Sequence, residues 1–305
     1  MTKFAENYSL NYLEKLETES IYIIREAVAE FKNPVMLYSV GKDSSVMLRL
    51  AEKAFYPNKI PFPLMHVDTG YKFKEMIKFR DHYVKKIGAR LIVEKNEKMI
   101  KKGMHPSING VDACCYHLKT KGLLGGIKKY NFDVAFGGAR RDEEKSRAKE
   151  RIFSHRNELG SWDPKNQRPE PWQSFNAVLN EGETMRVFPL SNWTESDVWS
   201  YIMVENIPVV PIYFARKRIV VRRKGILVPV NKNTHLKKGE KPKEIMCRFR
   251  SLGCSPCTGA IESNATDIEG ILKEVLTAKK SERENRIIDL GSDNAMEDKK
   301  RDGYF

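Results

Sequence analysis

The chain has 305 residues, 41% hydrophobic and 31% charged, a balance that excludes a disordered polyelectrolyte and suits about two cored domains. Lys and Arg number 54 against 40 Asp and Glu, and the resulting net charge of +14 points to anionic partners: nucleic acid, nucleotides, sulfate or an acidic protein surface. The first residues lack a cationic-then-apolar signal pattern and no apolar run approaches the ~18 residues of a membrane span, so a soluble, cytoplasmic protein is expected.

Stretch 8–31 carries Leu10, Leu13, Leu16, Ile23, Ile24, Ala27 and Phe31 at helical spacing and predicts one long helix. Short apolar runs then alternate with helical patterns: strand 35–39, helix 44–54, strand 63–68, helix 73–87, strand 90–93, helix 112–130 and strand 133–136. Such alternation predicts an α/β fold, a parallel sheet with helices on both faces. Beyond residue 190 the pattern turns into a smaller mixed region. "TESDVWSYIMVENI" predicts a helix capped by Thr194, with Asp197 completing a capping box. "RIVVRRKGILVPV" predicts a hairpin turning near Lys224 and Gly225. "NTHLKKGEKPKE" predicts a polar loop, and 266–280 a last helix before a charged tail. The expected division is an α/β domain over 1–190 and a C-terminal region over 191–305.

Ligands of such sheets sit beyond the C-terminal strand ends. Three polar segments collect there: "SVGKDSS", "VDTG" at 67–70 and "GGARRDEEKSR" at 137–147. In the first, Ser39, Ser44 and Ser45 offer hydroxyls, and backbone N–H groups around Gly41 face outward. The following helix adds its positive end and Lys42 a full charge. A pyrophosphate suits this cradle; the plainer alternative is a strand–helix turn capped by Ser44. In the third segment Gly137 and Gly138 permit close backbone approach. Arg140, Arg141 and Arg147 carry the planar fork that grips sulfate or phosphate oxygens. Asp142, Glu143 and Glu144 suit positioning those arginines or holding Mg²⁺. The alternative is a solvated charged helix with pairs such as Glu143–Arg147. His66, alone in an apolar strand, reads as a packed, hydrogen-bonded residue rather than an acid or base.

"SVGKDSS" resembles the PP-loop of the ATP pyrophosphatase superfamily, usually Ser-Gly-Gly-Lys-Asp-Ser, with Val40 where the first Gly is usual. Members cleave ATP between the α- and β-phosphates and transfer AMP to an acceptor. The resemblance implies that Ser39, Gly41, Lys42, Asp43, Ser44 and Ser45 hold the triphosphate. It places Asp68, Thr69 and Gly70 of "HVDTG" near the nucleotide. Longer strings narrow the match: "FGGARRDEEKSRAKER", "WDPKNQRPE", "RVFPLSNWTESDVW", "RFRSLGCSPCTGAIES" and the closing "DGYF". Together they are similar to the small catalytic subunit family of the two-subunit bacterial ATP sulfurylase, sulfate adenylyltransferase subunit 2. That resemblance implies ATP plus sulfate giving adenylyl sulfate plus pyrophosphate, with Mg²⁺. It implies a partner, a GTPase large subunit alone or fused to an adenylyl sulfate kinase. Lys42, Arg140, Arg141 and Arg147 become the expected catalytic cations, and Gly137 and Gly138 part of the nucleotide site. Membranes and nucleic acid are not expected partners. Trp162, Trp172 and Trp193, set among Pro and Arg, are expected to be exposed interface anchors or else ordinary packing.

The cysteines depart from that family's usual pattern, which has a single Cys near the C-terminus. The five are Cys114, Cys115, Cys247, Cys254 and Cys257, an odd number that argues for reduced thiols or a metal site. Cys114 and Cys115 are adjacent, and Cys254 and Cys257 form a two-spaced pair. Related adenylyl sulfate reductases hold a four-iron cluster with such a set. Zinc or an iron–sulfur cluster at these four is therefore an expectation, the alternative being buried thiols. Reduction itself needs a nucleophilic cysteine near the C-terminus, and no cysteine follows Cys257. A tRNA-thiolating relative is the other rival, though no RNA-binding module signature accompanies the charge.

Overall fold

The computed structural model describes residues 11–223, 225–278, 282 and 300–303, the side chain of Lys145 aside. Two sheets organise them. The first contains β1 (Pro34–Leu37), β2 (Leu64–Val67), β3 (Leu91–Glu94), β4 (Val134–Phe136), β5 (Phe153–Arg156) and β6 (Thr184–Val187), in the order β3-β2-β1-β4-β6-β5. Neighbours run parallel except β5, which pairs antiparallel with β6. The chain steps outward from β1 to β3 and then returns to β4 on the other side of β1. That reversal opens a crevice at the C-terminal ends of β1 and β4.

The helices are α1 (Tyr12–Glu30), α2 (Lys42–Phe55), α3 (Lys74–Ile87), α4 (Glu97–Lys101), α5 (Pro106–Asn109), α6 (Val111–Cys115), α7 (Lys121–Lys129), α8 (Lys145–Ala148), α9 (Glu195–Val204) and α10 (Ile268–Thr277). A capping box between Asn11 and Glu14 opens α1, whose Leu16, Ile23, Ile24 and Ala27 turn inward. Thr194 and Asp197 form the expected box on α9. Val46 and Leu50 of α2, Trp199 and Ile202 of α9, and Phe136 of β4 share the main core. On the opposite face Leu123 and Ile127 of α7 pack on Val35, Met65 and Ala135. Each fully buried Val, Leu, Ile, Phe or Met among these contributes about 1.5–3 kcal/mol. No helix among the described residues is long and apolar enough to cross a membrane.

The second sheet is antiparallel: β7 (Arg216–Arg223), β8 (Ile226–Pro229), β9 (Lys243–Arg248) and β10 (Ile261–Glu262), in the order β10-β9-β7-β8. The β7–β8 hairpin turns through Gly225 at φ +82°, as expected. The main core continues beneath this sheet through Val220, Leu227 and Cys247.

Several expectations change. Helix α2 starts at Lys42, capped by Gly41 rather than by Ser44. The single helix expected over 112–130 is interrupted by a π turn at Tyr116–Thr120. There the Asn96 side-chain amide donates to the His117 carbonyl at 2.9 Å. Strands β5 and β6 went unread because Ser154, His155 and the buried Arg186 break their apolar runs. The polar loop ends early, since backbone pairing with β7 recruits Lys243 and Glu244 into β9. Trp162 and Trp193 are not exposed anchors: each is 1% exposed. Trp193 donates its Nε1–H to Ser20 Oγ at 2.9 Å, and Lys300 Nζ sits 4.6 Å from the Trp162 ring centre. Trp172 is 95% exposed. The helix start at residue 8, turn residue Lys224, the helix end at 279–280 and most of the tail, with 304–305, lie outside the described residues.

Candidate active site

The crevice receives its first wall from β1 and the loop that follows. Val40 is buried at φ +67°, a left-handed conformation that costs a β-branched residue about 1–2 kcal/mol. It stands where glycine would be unstrained, and such outliers cluster at functional sites. The loop is then tied down. Lys42 N–H donates to the Tyr213 hydroxyl at 2.8 Å, and Ser44 Oγ–H donates to the Gly41 carbonyl at 3.0 Å. Ser39 and Ser44 hydroxyls lie 3.2 Å apart, and Ser45 is buried behind them. The β4 loop presses against this turn. A Cβ added at Gly138 would lie 3.1 Å from Asp43 Cβ and 3.4 Å from Ser44 N, so a side chain there forces the loops apart. Gly137 holds the strand end through its N–H, 2.8 Å from the Val187 carbonyl.

A buried ion cluster joins the two loops. Lys42 Nζ lies 3.1 Å from Asp43 and pairs with Glu282. Arg140 pairs with Asp43, with Glu282 at 2.8 Å and with Asp142 at 3.0 Å. Lys42, Arg140 and Glu282 are all buried. Burial opposes the charge on Arg140, but Glu282, Glu143 and Asp142 outweigh it and raise its pKa. Burial likewise opposes ionisation of Glu282, yet Lys42 and Arg140 hold it below the usual carboxylate range. Carboxylate oxygens of Asp43, Glu143 and Glu282 all lie within 4.8 Å of one another. Chemically this is an anion seat in which the protein's own carboxylate stands between two fixed cations.

Beside the cluster lies a cavity. Leu37, Met65, Val67 and Leu123 make its apolar wall, and Ser39, Asp43 and Ser44 its loop side. Lys72, Lys119 and Arg147 line it with positive charge. Of the three expected arginines, Arg147 reaches the cavity and Arg140 the ion cluster. Arg141 instead hydrogen-bonds Asn192. Asp68, Thr69 and Gly70 form a turn at the margin. Asp68 accepts from Gly70 N–H and pairs with Lys95, each at 2.9 Å. Lys72, Lys119 and Glu282 escaped the sequence reading. A longer look at "DTGYK" could have found the first; nothing local to Glu282 announces it.

Thr69 Oγ1 is 3.1 Å from Cys254 Sγ, which draws the cysteines to the same margin. Burial, then Cys254 and Cys115, push the Cys114 thiol up to about 12, and burial, Cys254, Cys115 and Cys114 act on Cys257 in the same direction. Burial would also raise Cys254, but Lys119, Lys72 and the Thr69 hydroxyl outweigh it and lower its pKa. Cys114, Cys115, Cys254 and Cys257 thus lie near enough to act on one another's charge, while Cys247 lies apart in the second sheet; among the described residues the ligand atoms gathered within 4.8 Å of one another are those of Asp43, Glu143 and Glu282, not these thiols.

His66 is packed, not poised for proton transfer. Its Nδ1 is 2.8 Å from the Tyr38 carbonyl, so Nδ1 carries the proton. Burial, then Lys72, lowers its pKa from 6.5 to about 3. Between those values the unfolded chain binds a proton that the folded chain refuses, so stability falls as pH drops. The expected slope from this residue is about 1.4 kcal/mol per pH unit. Urea unfolding across that range should show the slope flattened in His66→Gln; an unchanged slope refutes the assignment. Glu282→Gln should destabilise the ligand-free protein by up to about 3–5 kcal/mol, because two buried cations lose their shared buried counter-charge and keep only the carboxylates of Asp43 and Asp142. Added pyrophosphate should then raise the melting temperature of the variant more than that of the parent. A variant as stable as the parent overturns this.

The phosphoadenosine phosphosulfate reductase domain family matches residues 33–260. The sulfate adenylyltransferase subunit 2 of Bacteroides fragilis is 58% identical over 301 residues, 98% of this chain and 99% of the relative. That of Marinomonas sp. is 57% identical over 296 residues, 97% and 98% of the two chains. Among solved structures, a phosphoadenylyl-sulfate reductase from Candida auris aligns with 17% identity, a TM-score of 0.46, and coverage of 67% of this chain and 91% of that one. With relatives this similar over almost its whole length, the chain belongs to the sulfate adenylyltransferase subunit 2 family.

Proposed function

We propose that this protein is a cytoplasmic sulfate adenylyltransferase that joins ATP and sulfate into adenylyl sulfate and releases pyrophosphate. The observation that carries this reading is the Lys42–Glu282–Arg140 cluster at the β1/β4 crevice, two fixed cations that a departing pyrophosphate would engage in place of Glu282. Ser39, Gly41, Lys42, Asp43, Ser44 and Ser45 hold the β- and γ-phosphates, with Gly138 keeping the second loop close. Leu37, Met65, Val67 and Leu123 supply a flat apolar wall for the base. A sulfate oxygen attacks the α-phosphorus, the bond to the bridging β-oxygen breaks, and its electron pair leaves with pyrophosphate. No proton need move, so fixed cations rather than a general base lower the barrier. Lys42 and Arg140 meet the leaving charge as Glu282 yields its place. Asp43 and Glu143 would hold Mg²⁺, which when bound shields the phosphate charge.

The subunit numbering of the family supports a two-subunit enzyme. The partner in this reading is a GTPase, alone or fused to an adenylyl sulfate kinase, whose hydrolysis drives the uphill formation of the phosphate–sulfate anhydride. Cys114, Cys115, Cys254 and Cys257 would hold an iron–sulfur cluster or zinc, since four neighbouring thiols match such a group in donor number and kind, with Lys119 and Lys72 alongside. Either iron with acid-labile sulfide, or zinc, should be near stoichiometric in anaerobically purified protein and be lost in Cys257→Ser. Metal-free protein of full activity ends that assignment.

The activity test is coexpression with a GTPase subunit and measurement of sulfate-dependent pyrophosphate release from ATP, with and without GTP. Release should need sulfate, rise with GTP and fall by about a hundredfold or more in Lys42→Ala. Release without sulfate dependence, with adenylyl sulfate consumed in the presence of a thiol donor, would replace this reading with reduction.

A further inference from the structure

The cavity holds more positive charge than the triphosphate loop accounts for. Lys42 and Arg140 are engaged by Glu282, Asp43 and Asp142, and Arg147, from the same 137–147 segment as Arg140, pairs with Glu144 at 3.6 Å and Glu150 at 3.5 Å; Lys72 and Lys119 reach the cavity from two further segments. Each of the two lysines is deliberately placed. Lys72 follows the turn at 68–70, and its backbone bridges antiparallel to Cys254, while the Tyr71 carbonyl accepts the Ser255 N–H at 2.8 Å. This pairing fixes the lysine stem against a loop from 182 residues further along the chain, Cys254 less Lys72. Among the described residues Lys72 forms no ion pair.

Lys119 lies on the π turn Tyr116–Thr120. One extra residue in a helix rotates everything after it by roughly 100° relative to a regular continuation. Lys119 and Thr120, both within the turn, line the cavity together. Such turns recur at functional sites because the distorted ladder is otherwise a cost without return. Two ammonium groups and a guanidinium thus line one cavity whose loop side carries the carboxylates of Asp43 and Glu143, and an anion bound between the lysines gains from both. A tetrahedral dianion with acceptors on every side fits that arrangement. In-line transfer also requires the acceptor to face the α-phosphorus opposite the departing pyrophosphate.

We propose that Lys72 and Lys119, with Arg147 beside them, form the seat of the acceptor oxyanion, sulfate. This rests on the adenylyltransferase reading above. The lysines attract and orient sulfate, and they take no part in the bond broken at the bridging oxygen. Their nearness to Cys254 offers a different role, in which they only balance thiolate charge.

The test compares Lys72→Gln, Lys119→Gln and the matching Arg variants with the parent protein in complex with its GTPase subunit. The expected result is a KM for sulfate raised about tenfold or more in each Gln variant, as befits a lost charge-assisted hydrogen bond. KM for ATP, melting temperature and metal content should stay put, and the Arg variants should recover part of the loss. A parallel rise in both KM values, or no change in either, overturns the seat. Calorimetry of sulfate binding in the presence of a non-hydrolysable ATP analogue decides the matter separately from turnover. Weaker sulfate binding in both Gln variants supports the seat even if the parent releases no pyrophosphate, an outcome that would sink the adenylyltransferase reading alone. Sulfate binding equal to the parent, or undetectable in the parent itself, overturns the seat whatever the assay reads.

Discussion

The structure turns on a buried carboxylate, Glu282, held between Lys42 and Arg140. Neither cation could remain in so dry a place without a counter-charge, because an isolated buried charge costs several kcal/mol. Their pairing fixes two loops that are about a hundred residues apart, since Arg140 reaches across to Asp43 while Lys42 stays on the loop after β1. Protein and substrate thus compete for the same electrostatic role. A triphosphate that enters must offer these cations at least what Glu282 already gives.

The sheet makes this competition possible. Reversal of strand order between β1 and β4 brings two loop segments to one crevice. The close approach at Gly138 then leaves no room for a side chain between them. On the far side, the turn after β2 is braced by the cysteine loop, so the cavity wall depends on the C-terminal region as much as on the α/β sheet. The α9 helix contributes to the same core as α1 and α2, which ties the region beyond residue 190 to the sheet that carries the site.

Legibility in the sequence followed the range of the interactions. The alternation of strands and helices through β4, the cap at Thr194 and the hairpin at Gly225 rest on neighbours a few residues away, and all were readable. The loop after β1 was readable because its anion-binding groups are contiguous. Glu282 was not, because its partners are 240 and 142 residues away in sequence. Lys119 was hidden for a subtler reason. Its spacing continues a regular helix, and only the Asn96 contact to the His117 carbonyl marks where the ladder slips. Trp162 and Trp193 misled through composition: polar neighbours in sequence gave no hint of the Lys300 and Ser20 contacts that bury them. Arg186 misled in the opposite sense, a charged residue in the middle of a buried strand.

Val40 carries one more consequence. A glycine at its position would let the loop flex on its own, because nothing would anchor its side. Val40 instead plugs its isopropyl group into the main core while its backbone sits in the left-handed region. Relaxing the backbone would pull that plug from the core, and keeping the plug holds the backbone in tension. The phosphate loop therefore has no private softness: it is as rigid as the hydrophobic interior to which it is riveted. On warming, its capacity to grip a nucleotide should survive until the interior itself loosens, and disappear together with it.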